Sequence, residues 1–146
     1  MQAYPHLYRT SANAGPDTRV RITSQGLPDI PTTAPPQFGG AGGNWSPETL
    51  LVAAVADCFI LTFKAIAGAS ALAWSRLECD ADGTLDRVDG VTRFTRLDLR
   101  ARLLLPAGSD TAKAERILHK SEAVCLVTNS MTAERHLETS IALEPA

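Results

Sequence analysis

The stretch Trp45 to Gly68, WSPETLLVAAVADCFILTFKAIAG, is the longest apolar run in the chain and carries a cysteine at its middle. Its start is marked for a helix. Ser46 suits the N-cap, Pro47 the first helical position, and Glu48 puts negative charge in the first turn. Between Leu50 and Ala67 only Asp57, Thr62 and Lys64 are not apolar, so no wet face of the usual width exists. A helix apolar almost all round is buried in protein or in a membrane. Asp57 and Lys64 argue against a membrane, because a charge at the bilayer centre costs roughly 2.5 to 3.5 kcal/mol on the insertion scale. The expectation is a soluble, buried central helix. A chain of 146 residues has little material to wrap it on every side, and a symmetric homodimer in which two such helices cover each other is the natural solution.

The length predicts one domain, residues 1–146, with 45% hydrophobic residues to build its core. A net charge of −2 and a pI near 5.9 point away from nucleic acid and anionic membranes as partners. The opening MQAYPHLYRT has neither the basic nor the apolar segment of a secretory signal, which predicts a cytoplasmic protein. Three cysteines, Cys58, Cys79 and Cys125, are too few and too scattered for a disulfide scaffold. No CxxC or HxxxH spacing occurs, so neither a metal site nor a bound cofactor is expected.

Residues 4–12 and 18–23 read as short strands joined by a turn at Gly15-Pro16. From Ser24 to Asn44 four prolines and the run GGAGG leave no period, and a long connector is expected. The glycines are followed by neither Lys-Ser nor Lys-Thr and fit no GxGxxG register, so no nucleotide site is expected. Beyond the helix, Leu77, Cys79 and Ala81 alternate with charged residues, as do Leu97, Leu99, Ala101 and Leu103, with Asp89-Gly90 between as a hairpin turn. Cys79 falls on the apolar face, where a free cysteine acts as a small hydrophobe. Ser109 or Asp110 caps a second helix, whose periodic Ala114, Ile117, Leu118, Ser121 and Cys125 face inward. LVTNSM then predicts a turn, and Leu137, Thr139, Ile141 and Leu143 a last strand. The fold class is α+β, with helices gathered on one side of a mainly antiparallel sheet.

Each helix thus delivers one cysteine to the interior. On spacing alone the pair could be core filling or redox chemistry. The run NWSPETLLVAAVADCF resembles the hallmark of the OsmC/Ohr family, the osmotically inducible and organic hydroperoxide resistance proteins, in which N-P-E-x-L precedes A-x-C-F on the central helix. Cys58 is the tenth residue after Glu48, as in the family. The second family signature, a helix ending in H-x-x-C-P-x-S-N, is matched by HKSEAVCLVTN, which keeps the cysteine, Thr128 and Asn129 but has Leu126 for the proline.

The resemblance implies an OsmC-like fold of antiparallel sheets around a long buried central helix, with a second helix, in an intertwined homodimer. It implies a thiol peroxidase acting on organic hydroperoxides, with Cys58 as peroxidatic nucleophile, Cys125 as resolving cysteine and Glu48 in the hydrogen-bonding set. An external thiol or dithiol, of lipoyl type in some members, is the implied reductant. Ten residues of helix span about 15 Å, so either the helix begins after Glu48 or Glu48 serves the partner subunit's cysteine. The family's thiolate-stabilising arginine has no clear counterpart: Pro16 and Gln37 stand at its two usual places. Arg19 is the nearest substitute, ahead of Arg21 and Arg9. A second function class follows from that gap, a redox-sensing or ligand-binding member with little turnover.

Overall fold

The computed structural model describes residues 3–146. The chain divides into two compact units, one reaching to Leu51 and the other running from Val52 to Ala146. In the first unit, β1 (Ser11–Asn13) and β2 (Val20–Thr23) pair antiparallel, with Ser11 opposite Thr23 and Asn13 opposite Arg21. The Gly15 carbonyl accepts from the Thr18 N–H in the turn between them. The expected strand over 4–12 is therefore confined to its last part. β2 ends at Thr23 and the chain turns at Ser24–Leu27, so the β1–β2 ladder does not run back beyond Ser11, and Pro5 lacks a backbone donor in any case.

A third strand, β3 (Ile30–Thr32), lies in the stretch expected to be featureless. It pairs with β2 and places Pro31 opposite Arg21. Three residues are too few to show a period, and a proline is tolerated at the edge of a sheet, where its missing N–H removes no ladder bond. A 3-10 turn at Pro36–Phe38 follows. A Cβ on Gly40 would stand 1.6 Å from the Ala34 carbonyl oxygen, so this turn closes tightly enough to require glycine. The chain then re-enters the sheet, with Thr33 N–H donating to the Trp45 carbonyl at 3.0 Å.

Helix α1 runs unbroken over Pro47–Ala69. Its cap is reciprocal: Thr49 N–H donates to Ser46 Oγ at 3.2 Å, and Ser46 N–H to Thr49 Oγ1 at 2.8 Å. Threonine here takes the part that glutamate plays in a capping box. The helix is long and apolar enough to cross a membrane by length and composition, yet only 28% of that window is buried within the chain. Val55, Cys58, Phe59, Phe63 and Ala67 form the buried stripe. Leu61, on the other side, is 55% exposed.

In the second unit, β4 (Arg76–Val88) and β5 (Val91–Leu105) form the expected hairpin about Asp89-Gly90. Both turn residues have positive φ, 53° and 79°, the backbone a two-residue loop needs to follow the twist of its strands. α2 (Thr111–Ala123) is capped by Asp110, whose side chain accepts from the Lys113 N–H. A four-residue helix, α3 (Leu126–Asn129), replaces the expected turn. β6 (Glu134–Leu143) then returns parallel to β5, Leu97 opposite Arg135 and Leu103 opposite Ile141. The two helices between β5 and β6 carry the chain back along the sheet, so a parallel return is the geometry available to it. The sheet order is β4-β5-β6. Its inner face, Leu97, Leu99, Ala101, Leu103 and Leu105, shares one core with the α1 stripe and with Ala114, Ile117 and Leu118 of α2. A Cβ on Gly83 would meet Val52 and Phe94 side chains at 2.7 Å, which marks where α1 presses on the hairpin.

Candidate active site

Cys58 lies on the buried stripe of α1, directly before Phe59 and one turn before Thr62, whose Oγ1 is 4.0 Å from its sulfur. That position follows from the helical period: a residue three after Val55 and next to Phe59 lies along the edge of the stripe they define. The Cys125 side chain and the Val127 backbone N–H are its other near neighbours. Burial holds the Cys58 pKa above its ordinary value; the Val127 N–H pulls it down, Cys125 pushes it up and Thr62 lowers it. None of those neighbours is a cation.

Cys125 is 1% exposed and stands at the seam between α2 and α3, with an extended ψ of 114° as N-cap of the latter. Its N–H donates to the Glu122 carbonyl at 3.2 Å, and its own carbonyl accepts from Asn129 N–H at 3.0 Å and from Thr128 Oγ1 at 3.1 Å. The inward placement read from the α2 period therefore holds, although the helix itself stops two residues earlier. All three cysteines are free thiols. A disulfide between Cys58 and Cys125 requires their Cα atoms to stand about 4.4 to 6.8 Å apart.

Cys79 lies on the inner face of β4, opposite the buried Ala101. Burial first, and then the neighbouring Asp80 carboxylate, push its pKa up to about 11. That suits an inert core thiol. Glu48 sits in the first turn of α1, and its Oε2 is buried without a hydrogen-bond partner among the described residues. Because α1 starts at Pro47 and is continuous, the helix does not begin after Glu48. Arg19 is exposed, just ahead of β2 in the first unit. Cys58 and Cys125 are thus the two expected site residues brought together within one unit. Among the described residues, no cluster of three or more His, Cys, Asp or Glu is arranged to hold a metal.

The match to known proteins runs through these same elements. A family model described as OsmC-like protein covers residues 40–140, from ahead of α1 to within β6. The chain belongs to the OsmC family. Its curated relatives include the peroxiredoxin OsmC of Escherichia coli (strain K12), 30% identical over 102 residues, 70% of each chain. The organic hydroperoxide resistance protein of Xanthomonas axonopodis pv. citri is 28% identical over 124 residues, 82% of each chain. Among solved structures, an OsmC-like protein of unknown function from Vibrio cholerae superposes with a TM-score of 0.83 at 21% identity, covering 94% of this chain and all of the other. The fold is OsmC-like, α+β, with two three-stranded sheets.

Set beside the family signatures, this OsmC chain departs where the proline after the second cysteine is replaced by Leu126. Leu126 occupies the first position of α3, a place where proline is favoured because its N–H would be unsatisfied. The next N–H, that of Val127, is the one that lowers the Cys58 pKa. No pattern in the sequence announced that contact, since a backbone donor carries no side-chain signature. Arg135 was missed as well: its guanidinium reaches Thr128, Asn129 and Glu122 around Cys125. The one available sign was a charge at a core-facing position of β6, opposite Leu97.

Proposed function

We propose that this protein is a cysteine-based peroxidase that reduces organic hydroperoxides, with Cys58 as the attacking thiolate and Cys125 as the resolving thiol. The observation that carries the reading is the proximity of two buried thiols, near enough that Cys125 raises the pKa of Cys58. The Cys58 thiolate attacks the outer oxygen of ROOH, the O–O bond breaks, ROH leaves with a proton, and Cys58 is oxidised to the sulfenic acid. Cys125 then displaces that oxygen as water, giving the Cys58–Cys125 disulfide. An external dithiol, of the lipoyl type, reduces the disulfide by exchange and leaves as its own cyclic disulfide. The names of the relatives, a peroxiredoxin and an organic hydroperoxide resistance protein, support this class of substrate. A cytoplasmic setting, in which dithiols are kept reduced, goes with it.

The active unit in this reading is a homodimer. With only 28% of the apolar window of α1 buried by its own chain, a second copy is the partner that would cover the rest. Glu48, about 15 Å up an unbroken helix from Cys58, would then serve the partner subunit's cysteine. Mixing Glu48→Gln with Cys58→Ser protein should restore part of the activity in heterodimers; no restoration would return Glu48 to a structural role.

Stopped-flow consumption of cumene hydroperoxide with dihydrolipoamide, on wild type, Cys58→Ser and Cys125→Ser, tests the chemistry. Loss of the first oxidation in Cys58→Ser, with sulfenic acid accumulating in Cys125→Ser, is the expected pattern. Equal rates in all three would overturn it. A second reading, a redox-sensing or ligand-binding member with little turnover, is favoured by one observation: the raised pKa of Cys58. Slow peroxide consumption by a fully reduced wild type, on the order of free cysteine, would select it.

A further inference from the structure

Arg135 grips the chain on both sides of Cys125. Its Nε lies 3.3 Å from Glu122 Oε1, three residues before the cysteine. Its Nη1 donates to Asn129 Oδ1 at 2.9 Å and to Thr128 Oγ1 at 3.2 Å, four and three residues after it. The seam it crosses is a break in the helical ladder, where Val124 and Cys125 leave the α2 geometry and α3 begins. Backbone bonds hold its α2 side, Val124 N–H to the Lys120 carbonyl and Cys125 N–H to the Glu122 carbonyl, and side chains add the ties that join α2 to α3. Here Asn129 Nδ2 adds one more tie, donating to the Ala123 carbonyl at 3.3 Å. The arginine itself is anchored on β6, in register with the buried Leu97, and its side chain is 31% exposed. A planar guanidinium with five donors can hold partners in two directions at once, whereas a lysine ammonium, a point charge on a flexible stem, can meet one side firmly.

We propose that Arg135 is the positioning residue for disulfide formation: by fastening α2 to α3 across Cys125, it holds the resolving thiol against Cys58. The step it serves is condensation of Cys58–SOH with Cys125–SH to the disulfide and water, and in this kinetic sense the proposal rests on the peroxidase reading. Two thiols held in register react as if at high effective concentration, and loosening one of them forfeits that advantage. Arg135 takes no part in the attack on the peroxide.

Two measurements on the full chain separate the clamp from the peroxidase reading. In the first, wild type, Arg135→Ala and Arg135→Lys are equilibrated in reduced and oxidised dithiothreitol, and the Cys58–Cys125 disulfide is quantified by alkylation and mass spectrometry. This needs no peroxide. Arg135→Ala is expected to lower the equilibrium constant for the disulfide at least tenfold, a rise in reduction potential of about 30 mV, with Arg135→Lys in between. Constants within twofold of wild type, or no Cys58–Cys125 disulfide in wild type, overturn the proposal. In the second, cumene hydroperoxide is mixed with the same proteins. Sulfenic acid formation should stay within twofold of wild type while condensation slows at least tenfold. Equal slowing of both steps is what a general loss of folded protein gives, and it overturns the clamp. If wild type forms no sulfenic acid, the peroxidase reading fails while the redox titration still decides on Arg135. Should Arg135→Ala not fold, Arg135→Lys and Asn129→Ala carry the same comparisons, with condensation slowed several-fold expected and an unchanged rate counting against.

Discussion

The backbone N–H of Val127 lies near Cys58 and lowers the pKa of its thiol. It is a weak substitute for a cation, since burial still leaves the thiol pKa above its ordinary value. The reactive form is the thiolate, and its fraction at neutral pH is therefore small. Raising the pH should increase reactivity, with the rate still climbing above pH 9 instead of levelling near 7. The alkylation rate of Cys58 by iodoacetamide, followed from pH 6 to 10 in a Cys79→Ala background, measures this. A plateau below pH 8 would show that a cation reaches the sulfur after all.

Stability should also fall at high pH. Cys79 has its pKa raised to about 11 by burial and by Asp80. The unfolded chain loses that proton near the ordinary thiol value, while the folded chain keeps it. The contribution is thus complete below about pH 8.5 and is lost as pH rises toward 11, with ΔG of unfolding decreasing on the order of 1 kcal/mol for a partly exposed site. Urea midpoints at pH 8 and pH 10.5 should differ in wild type and differ less in Cys79→Ala.

Gly83→Ala is expected to destabilise the second unit by about 1 to 3 kcal/mol, as overpacking does elsewhere. The new methyl would stand 2.7 Å from both Val52 Cγ2 and Phe94 Cε1, and the bulge after Thr84 leaves the hairpin little room to shift. Denaturant unfolding reads this directly. Trimming the obstruction with Val52→Ala should recover part of the loss in the double variant, because the two side chains share one space.

Asp110→Ala should cost about 1 kcal/mol. Its carboxylate accepts the Lys113 N–H at 2.8 Å, one of the donors left open at the start of α2. Lys113 in turn donates through Nζ to the Ser70 carbonyl at 2.6 Å, tying α2 to the end of α1. Asp110→Asn, which keeps an acceptor, is expected to be nearly neutral by the same unfolding measurement.

The outer face of the second sheet should contribute little for its charge. Arg102 pairs with Glu78 and Asp80, Arg100 with Asp82, and Arg96 with Asp98, on exposed or half-exposed side chains. Such pairs contribute little and are screened by salt. Arg100→Gln is expected to move the urea midpoint only slightly, and less still in 0.5 M sodium chloride.

Much of this molecule is written in local chemistry. The bounds of α1 follow from Ser46 and Pro47, the β4–β5 hairpin from alternation and Asp89-Gly90, the cap of α2 from Asp110, and the inward facing of Cys58 and Cys125 from helical period. These features depend on residues within a few positions of one another, so they are legible along the chain. Tertiary structure alone decided four others. β3 exists because β2 offers an edge on which a proline is harmless, and β6 runs parallel because α2 and α3 carry the chain back first. Cys58 meets Cys125 and the Val127 N–H, and Arg135 closes over the cysteine seam, because packing brings together residues that are 67, 69 and 10 positions apart. No spacing rule reports such contacts; they arise only when one core is shared.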